Sequence, residues 1–391
     1  MVTVNRDILK WAMEWNGLTV DDLKSSFSKI ADWLEGKHSP TMKQLESFAA
    51  KTHTIVPYFF MESAPQIRLQ IADFRTVANT SASKAPSPEL FETIDSMLYR
   101  QGWMSDYFQA EGYEALPYIG IFASQEESVD SNHIADYLHG LLSLDLDWAS
   151  GHGIHSTDDA WRTLRKAIEK TRVSVSISGH AGSNQGRKFS VEEFRGFVLS
   201  DRFAPIVFVN GGDAKAAQMF TLIHEYTHLL FARTGLDNYE DDPALFLTSG
   251  QEHFCDKVAA EFLVPTSRFM EVWESGKDHD RALGAAVAKF KASYIVCLRK
   301  ALELGLIAQE DFWLLYNDHK KAYQEAPKRT KGKNDKWDPY PAKGTQLGDV
   351  FSDAVFMAVK DEYLPYSEAY KITGLKSQSF DRYYSKRGLV V

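Results

Sequence analysis

Residues 214–235, AKAAQMFTLIHEYTHLLFARTG, set His224, Glu225 and His228 inside a run that is otherwise mostly apolar at helical spacing. Phe220, Ile223, Leu229, Leu230 and Phe231 give these polar groups a dry setting, which strengthens the charge effects of anything bound between them. Histidines four residues apart lie on one face of a helix, so both imidazoles can reach a single ion. Glu225 follows His224 directly and is turned away from the ligand pair, yet stays close enough to polarise water held there. Gly235 is expected to cap the helix. The same three residues on the solvated side of an amphipathic helix would do nothing, so a third ligand decides between the readings.

The best candidate is Glu252, in the segment QEHFCDKVAAEFLVP, a helix that Pro265 should stop. Glu252 and Asp256 are four apart and share a face, continued by Ala259, Ala260 and Leu263. Asp256 is then placed to accept the N–H of the non-ligating nitrogen of a histidine, which fixes the tautomer. Glu261 falls about half a turn off that face and is expected to point away or to cap something. Cys255 as a further ligand would close the site, so it reads as a small buried side chain. His253 is either an outer donor or a bystander. Two histidines and a glutamate leave a fourth position open, the arrangement of a catalytic zinc, and predict one Zn2+ per chain. Zinc there would activate water and polarise a peptide carbonyl, with Glu225 taking the proton and passing it to the leaving amine. The sequence names no secure oxyanion donor.

Elsewhere the text is mostly helical. Residues 1–62 read as a cluster of short helices with caps at Thr19, Ser28 and Thr41, and residues 63–160 as a helical bridge. His133, His139, His152 and His155 lack ligand-spaced companions and read as surface residues. Residues 161–310 change period: a helix ends near Lys170, strands follow at Val173–Ile177 and at residues 204–212, and RKFSVEEFRGF carries another strand or a turn. Residues 311–391 read as a basic loop and a C-terminal helical module with Val350, Ala354, Val355 and Val359 inward. Lys328, Arg329, Lys331, Lys333 and Lys336 belong to that solvated loop.

Charge is 44 basic against 53 acidic residues, net −9, which argues against a chain whose main task is coating nucleic acid or anionic lipid. Cys255 and Cys297 cannot make a disulfide framework, so a reducing compartment is expected. The first residues lack a basic segment followed by an apolar run, and no stretch approaches the length of a membrane span. A cytoplasmic protein with no membrane partner is the expectation.

FTLIHEYTHLLF, the EFRGF before it, APIVFVN and EHFCDKVAAEFLVP together resemble the ImmA/IrrE family of metallo-endopeptidases. FKASYIVCLRKALELGLI and GDVFSDAVFMAVKDEYLPYSEAYKITGLK resemble its longer members. The resemblance implies a mainly α chain with a small α+β, zincin-like (gluzincin) domain, between a repressor-like N-terminal domain and a C-terminal helical extension. It carries His224, His228 and Glu252 over as zinc ligands and Glu225 as catalytic base. Tyr226-Thr227 stands where Leu-Gly or Ile-Gly is more usual, and Asp256 where Asn is common.

GLTVDDL, SKIADWLEG, SPTMKQLESFAA and VPYFF resemble the phage-repressor type of helix-turn-helix domain, whose third helix reads the major groove. The span from Leu23 to Ile30 is shorter than that motif requires, and residues 1–62 hold seven Lys/Arg against eight Asp/Glu, too few cations for tracking phosphates. The resemblances imply cleavage of a repressor-type regulator, with release of stress-response or mobile-element genes, and DNA as a weaker candidate partner. The alternative is a non-enzymatic DNA-binding regulator, or an antitoxin-like binding protein, carrying a structural or vestigial zinc.

Overall fold

Side-chain caps set the first helices. Asn5 accepts the Asp7 N–H to start α1 (Arg6–Trp15), and Thr19 with Asp22 forms a reciprocal box at α2 (Val20–Lys24). The expected Ser28 cap is not used: α3 (Ile30–Glu35) begins after Lys29 with no side-chain cap. Thr41 and Gln44 box the start of α4 (Met42–Lys51), and a 3-10 turn follows at Val56–Phe60. Ile8, Leu9, Leu23, Ile30, Trp33, Leu45, Phe48 and Phe59 form one core within this first unit.

The computed structural model describes residues 3–66, 69–73, 86–125, 129–237, 251–274, 279–325 and 339–389. They group into two compact units, Met1–Gln70 with Ser81–Ser96, and Ile71–Thr80 with Met97–Val391. The expected boundaries at 160 and 310 both fall inside the second unit.

The second unit is built around a small mixed sheet. Its strands are β1 (Ala72–Asp73), β2 (Ser174–Ser178), β3 (Gly196–Leu199), β4 (Ile206–Asn210) and β5 (Gly235–Asp237), in the order β1-β5-β3-β4-β2. β2 and β4 run parallel, β3 is antiparallel to both β4 and β5, and β1 is parallel to β5. The helices are α5 (Pro88–Ala110), whose first residues belong to the first unit, then α6 (Ser131–Leu142), α7 (Thr157–Lys170) and α8 (Lys215–Leu230). They continue as α9 (Gln251–Leu263), α10 (Thr266–Glu274), α11 (His279–Phe290), α12 (Tyr294–Glu303) and α13 (Gln309–Glu325). Last come α14 (Pro339–Leu347), α15 (Asp349–Lys360), α16 (Tyr366–Thr373) and α17 (Ser377–Lys386). The described residues are mainly α with a small α+β part, as the sequence pattern predicts.

Helices cover β2, β3 and β4. β2 and β4 are buried along their whole length. α8 packs on β3 and β4 with α7 and α9 beside it, while α14 and α15 lie against β2. The serines of β2 are therefore covered as well: Ser176 donates to the Gln346 carbonyl of α14. α14 is a correction, since the loop expected through this region ends where Pro339 starts a helix, a position that proline favours. The basic residues Lys328 to Lys336 of that loop lie outside the described residues. In the terminal module Ala354, Val355 and Val359 are buried as expected, whereas Val350 is only half-buried.

Glu169 ties α7 to this module. It accepts from Arg165 at 2.9 Å and from the Asp349 N–H at the start of α15. Burial, only partly opposed by Arg165, pushes its carboxyl up to about 7. The folded chain thus favours the protonated form. This group's contribution to stability is complete below its ordinary value near 4.5 and is lost as pH rises through about 7. Unfolding midpoints measured from pH 4 to 8 should fall with a shallower slope for Glu169→Gln than for the unaltered chain. Parallel curves would contradict this.

Candidate metal centre

α8 carries the two histidines into the interior because its faces are covered on all sides: every residue from Gln218 to Leu230 is buried. His224 and His228, one helical turn apart, are 4% and 1% exposed, with ring centroids 5.0 Å apart. α9 packs alongside and presents Glu252 from its first turn. His224 Nε2 lies 3.2 Å from His228 Nε2 and 3.2 Å from Glu252 Oε2, and His228 Nε2 lies 3.5 Å from the same oxygen. These three donors form a cluster able to hold a metal ion.

The spacing itself tests the fit. Ligands of a tetrahedral ion with bonds of about 2.0–2.1 Å sit about 3.3–3.4 Å apart. Three lone-pair donors converging at this distance in a dry site repel one another unless a proton or a cation lies between them. The outer nitrogens support one tautomer. His224 Nδ1 is 2.9 Å from Asp256 Oδ1, and His228 Nδ1 is 3.8 Å from the buried Cys255 Sγ, so a proton on each Nδ1 leaves both Nε2 lone pairs free to ligate. Glu252 is partly exposed, which leaves the cluster open on its side.

Glu225 is 1% exposed, lies outside the ligand cluster, and sits against β3. Gly196 makes the space: a Cβ there would lie 2.5 Å from Thr221 Cγ2, 2.8 Å from Glu225 Oε1 and 3.0 Å from the Phe208 carbonyl. A glycine inside a strand marks such a close approach. Gly196 stands within the EFRGF segment, yet nothing in the sequence alone ties it to Glu225. Arg233 was not foreseen either. Burial lowers the pKa of its guanidinium, opposed by the negative charge of Glu252.

The other sequence candidates separate cleanly. Glu261 accepts the backbone N–H and hydroxyl of Thr266 at 2.9 and 2.7 Å, capping α10, and pairs with Lys300. His253 is half-buried outside the cluster, where burial and the nearby Lys257 lower its pKa. Cys297 is a core residue whose thiol burial pushes up to about 12. His133, His152 and His155 are exposed, but His139 is not. It stacks on Phe262 at 4.2 Å and bonds the Leu144 carbonyl, so its role is packing. Gly235 does not cap α8 either. The chain turns at Ala232, with φ 56°, and Gly235 opens β5.

A family model matches residues 182–302, which span β3, β4, α8, β5, α9, α10, α11 and most of α12. Residues 182–302 are similar to the IrrE N-terminal-like domain, of a peptidase family. The IrrE-like domain contains the whole cluster with Gly196, Glu225 and Asp256. A second model, of a domain of unknown function, matches residues 347–386, from the end of α14 through α17. No curated protein matches the chain. Among the described residues, no helix is long and apolar enough to cross a membrane.

Proposed function

We propose that this chain is a zinc-dependent endopeptidase of narrow specificity whose substrate is a repressor-type transcription regulator. The observation that carries the reading is the open triangle of His224, His228 and Glu252 with a spare, buried Glu225 on the same helix, inside a peptidase-family domain. A metal held only for structure needs a closed ligand set and has no use for that second carboxylate.

When bound, the ion would supply Lewis acidity toward the scissile carbonyl and acidify water at the site. The chain's own groups do the rest. Asp256 and Cys255 hold the two imidazoles by their outer nitrogens, keeping Nε2 aimed inward. Glu225 takes the proton of the attacking water and returns it to the leaving amine, and its buried seat excludes competing solvent. Thr221 and Gly196 fix where that carboxylate can lie.

The first unit suits protein docking better than DNA. The seven cations of residues 1–62 are outnumbered by eight acids, and Lys24 and Lys37 are paired with Asp21 and Glu35. Met42, Ile55, Phe60 and Met61 are exposed. A docking unit would give a cytoplasmic protease the selectivity that a cleft alone does not. Cleavage would then release the repressed genes, of stress response or of a mobile element.

The zinc-loaded chain should cut the repressor-type protein encoded beside it at a single site. An intact repressor after prolonged incubation with metal-loaded enzyme sinks this assignment. Gly196→Ala should lower kcat on the same substrate by about tenfold or more with zinc content unchanged, because displacing a reacting group by a fraction of an ångström costs that much. Thr221→Ser, which removes the methyl in closest conflict, should restore part of the loss. Full activity in Gly196→Ala would show that the seat of Glu225 is not critical.

A further inference from the structure

Where the C-terminal helices meet α7, the second unit holds a cavity of about 400 Å³ that includes no residue of the metal cluster. Its walls come from α7, α14, α15 and α17. Asp349 stands at the start of α15 with a guanidinium on each oxygen. Arg165 Nη2 donates to Oδ2 at 2.8 Å, and Arg387 Nη1 donates to Oδ1 at 2.6 Å. Lys386 brings a third cation, its ammonium 4.8 Å from the centre of the Tyr340 ring. Three cations therefore line the cavity against one carboxylate.

Carboxylates outside the lining do not fully balance them. Arg387 Nη2 also pairs with Asp353, but that side chain is 57% exposed and its charge is screened by water. Arg165 also pairs with Glu169, which carries only part of a charge near neutral pH because burial raises its carboxyl to about 7. A guanidinium has five N–H groups. Among the described residues Arg165 donates to Glu169, Asp349 and, at 3.4 Å, Thr345, and Arg387 donates to Asp349, Asp353 and, at 3.4 Å, Tyr383. Each arginine thus has N–H groups beyond those its neighbours engage.

We propose that this cavity binds a mononucleotide, with its phosphate on Arg165, Arg387 and Lys386 and its base against Tyr340 and Pro341. Guanidinium forks match phosphate oxygens, and an ammonium adds a point charge beside them. Asp349, with both oxygens engaged, aligns the two forks. The volume lies in the range of small-molecule sites and leaves room beyond a phosphate for a sugar and a base. Tyr340, Pro341 and the Tyr383 ring give that remainder apolar walls, and an aromatic face stacks on any base. Asp349, Tyr383 and Lys386 lie within the domain of unknown function matched at residues 347–386, so that domain acquires a ligand.

Calorimetric titration of the full, metal-loaded chain tests this with adenosine and guanosine monophosphate, inorganic phosphate and adenosine. Either monophosphate should bind about tenfold or more tightly than phosphate or adenosine, because it engages both halves of the cavity. Lys386→Met, a change at an exposed position that should not impair folding, should weaken the monophosphates and inorganic phosphate alike, by roughly fivefold. Tyr340→Leu should weaken the monophosphates by about tenfold and leave inorganic phosphate unchanged. His228→Ala should bind the monophosphates as the unaltered chain does. Failure of both monophosphates to bind, binding no tighter than that of inorganic phosphate, or unchanged affinity in Lys386→Met overturns the proposal. Loss of binding in His228→Ala overturns it too, by placing the phosphate at the metal.

Discussion

Glu225→Gln should abolish repressor cleavage, lowering kcat by roughly 10²–10⁴, the usual contribution of a positioned general base. The change leaves metal content and fold as they were. Glutamine has nearly the same shape, so it fills the same seat against Gly196 and Thr221, and position 225 lies outside the ligand cluster. What is lost is only the ability to take a proton from water. The KM should therefore move little while kcat collapses, the mark of a group that acts in the transition state. Cleavage at near-normal rate by this variant would place the base elsewhere. Loss of metal together with activity would mean that Glu225 is structural.

The second large effect is expected at His228. This imidazole is 1% exposed and is the donor through which α8 completes the triangle. His228→Ala leaves only His224 and Glu252 facing one another across 3.2 Å, a two-ligand site with a void beside it. Metal affinity should fall by several orders of magnitude, since neutral imidazole is a principal ligand of such ions. Because binding free energy is also folding free energy, a chelator should lower the unfolding midpoint of the unaltered chain but leave that of His228→Ala unmoved. A variant that still responds to chelation would show that the ion sits elsewhere.

Much of the site is legible in the sequence because it depends on one regular period. His224 and His228 meet because an α-helix repeats every 3.6 residues, and Glu252 and Asp256 share a face for the same reason. The structure brings all four together. Gly196 was harder to see. Its closeness to Glu225 is set by how β3 crosses α8, a tertiary fact that no spacing along the chain encodes. Cys255 was read as buried, which it is, but its proximity to His228 Nδ1 follows from the same helix packing.

The fold divides along similar lines. β2 and β4 announce themselves by β-branched and apolar runs, while β1 and β5, of two and three residues, are too short to carry any alternation. Gly235 looked like a cap because glycine favours the left-handed turn, yet Ala232 takes that conformation three residues earlier, and the chain uses Gly235 to enter the sheet. α14 was hidden by Pro339, Pro341 and Gly344, residues that signal loops in isolation. It forms because β2 offers a surface to pack on and Gln346 a bond to Ser176. His139 departs from its surface expectation for a related reason: a lone histidine looks solvent-facing until an aromatic partner, Phe262, is brought over it from another helix.

In the proposed function His224, His228 and Glu252 hold one ion between them. Elemental analysis of metal per chain, on the unaltered protein and on Glu252→Ala prepared side by side, tests it most directly. Close to one zinc per unaltered chain, with a clear loss in the variant, is the predicted result. Equal metal in both would contradict the assignment of Glu252, and no metal in the unaltered chain even after reloading would contradict the metal centre itself.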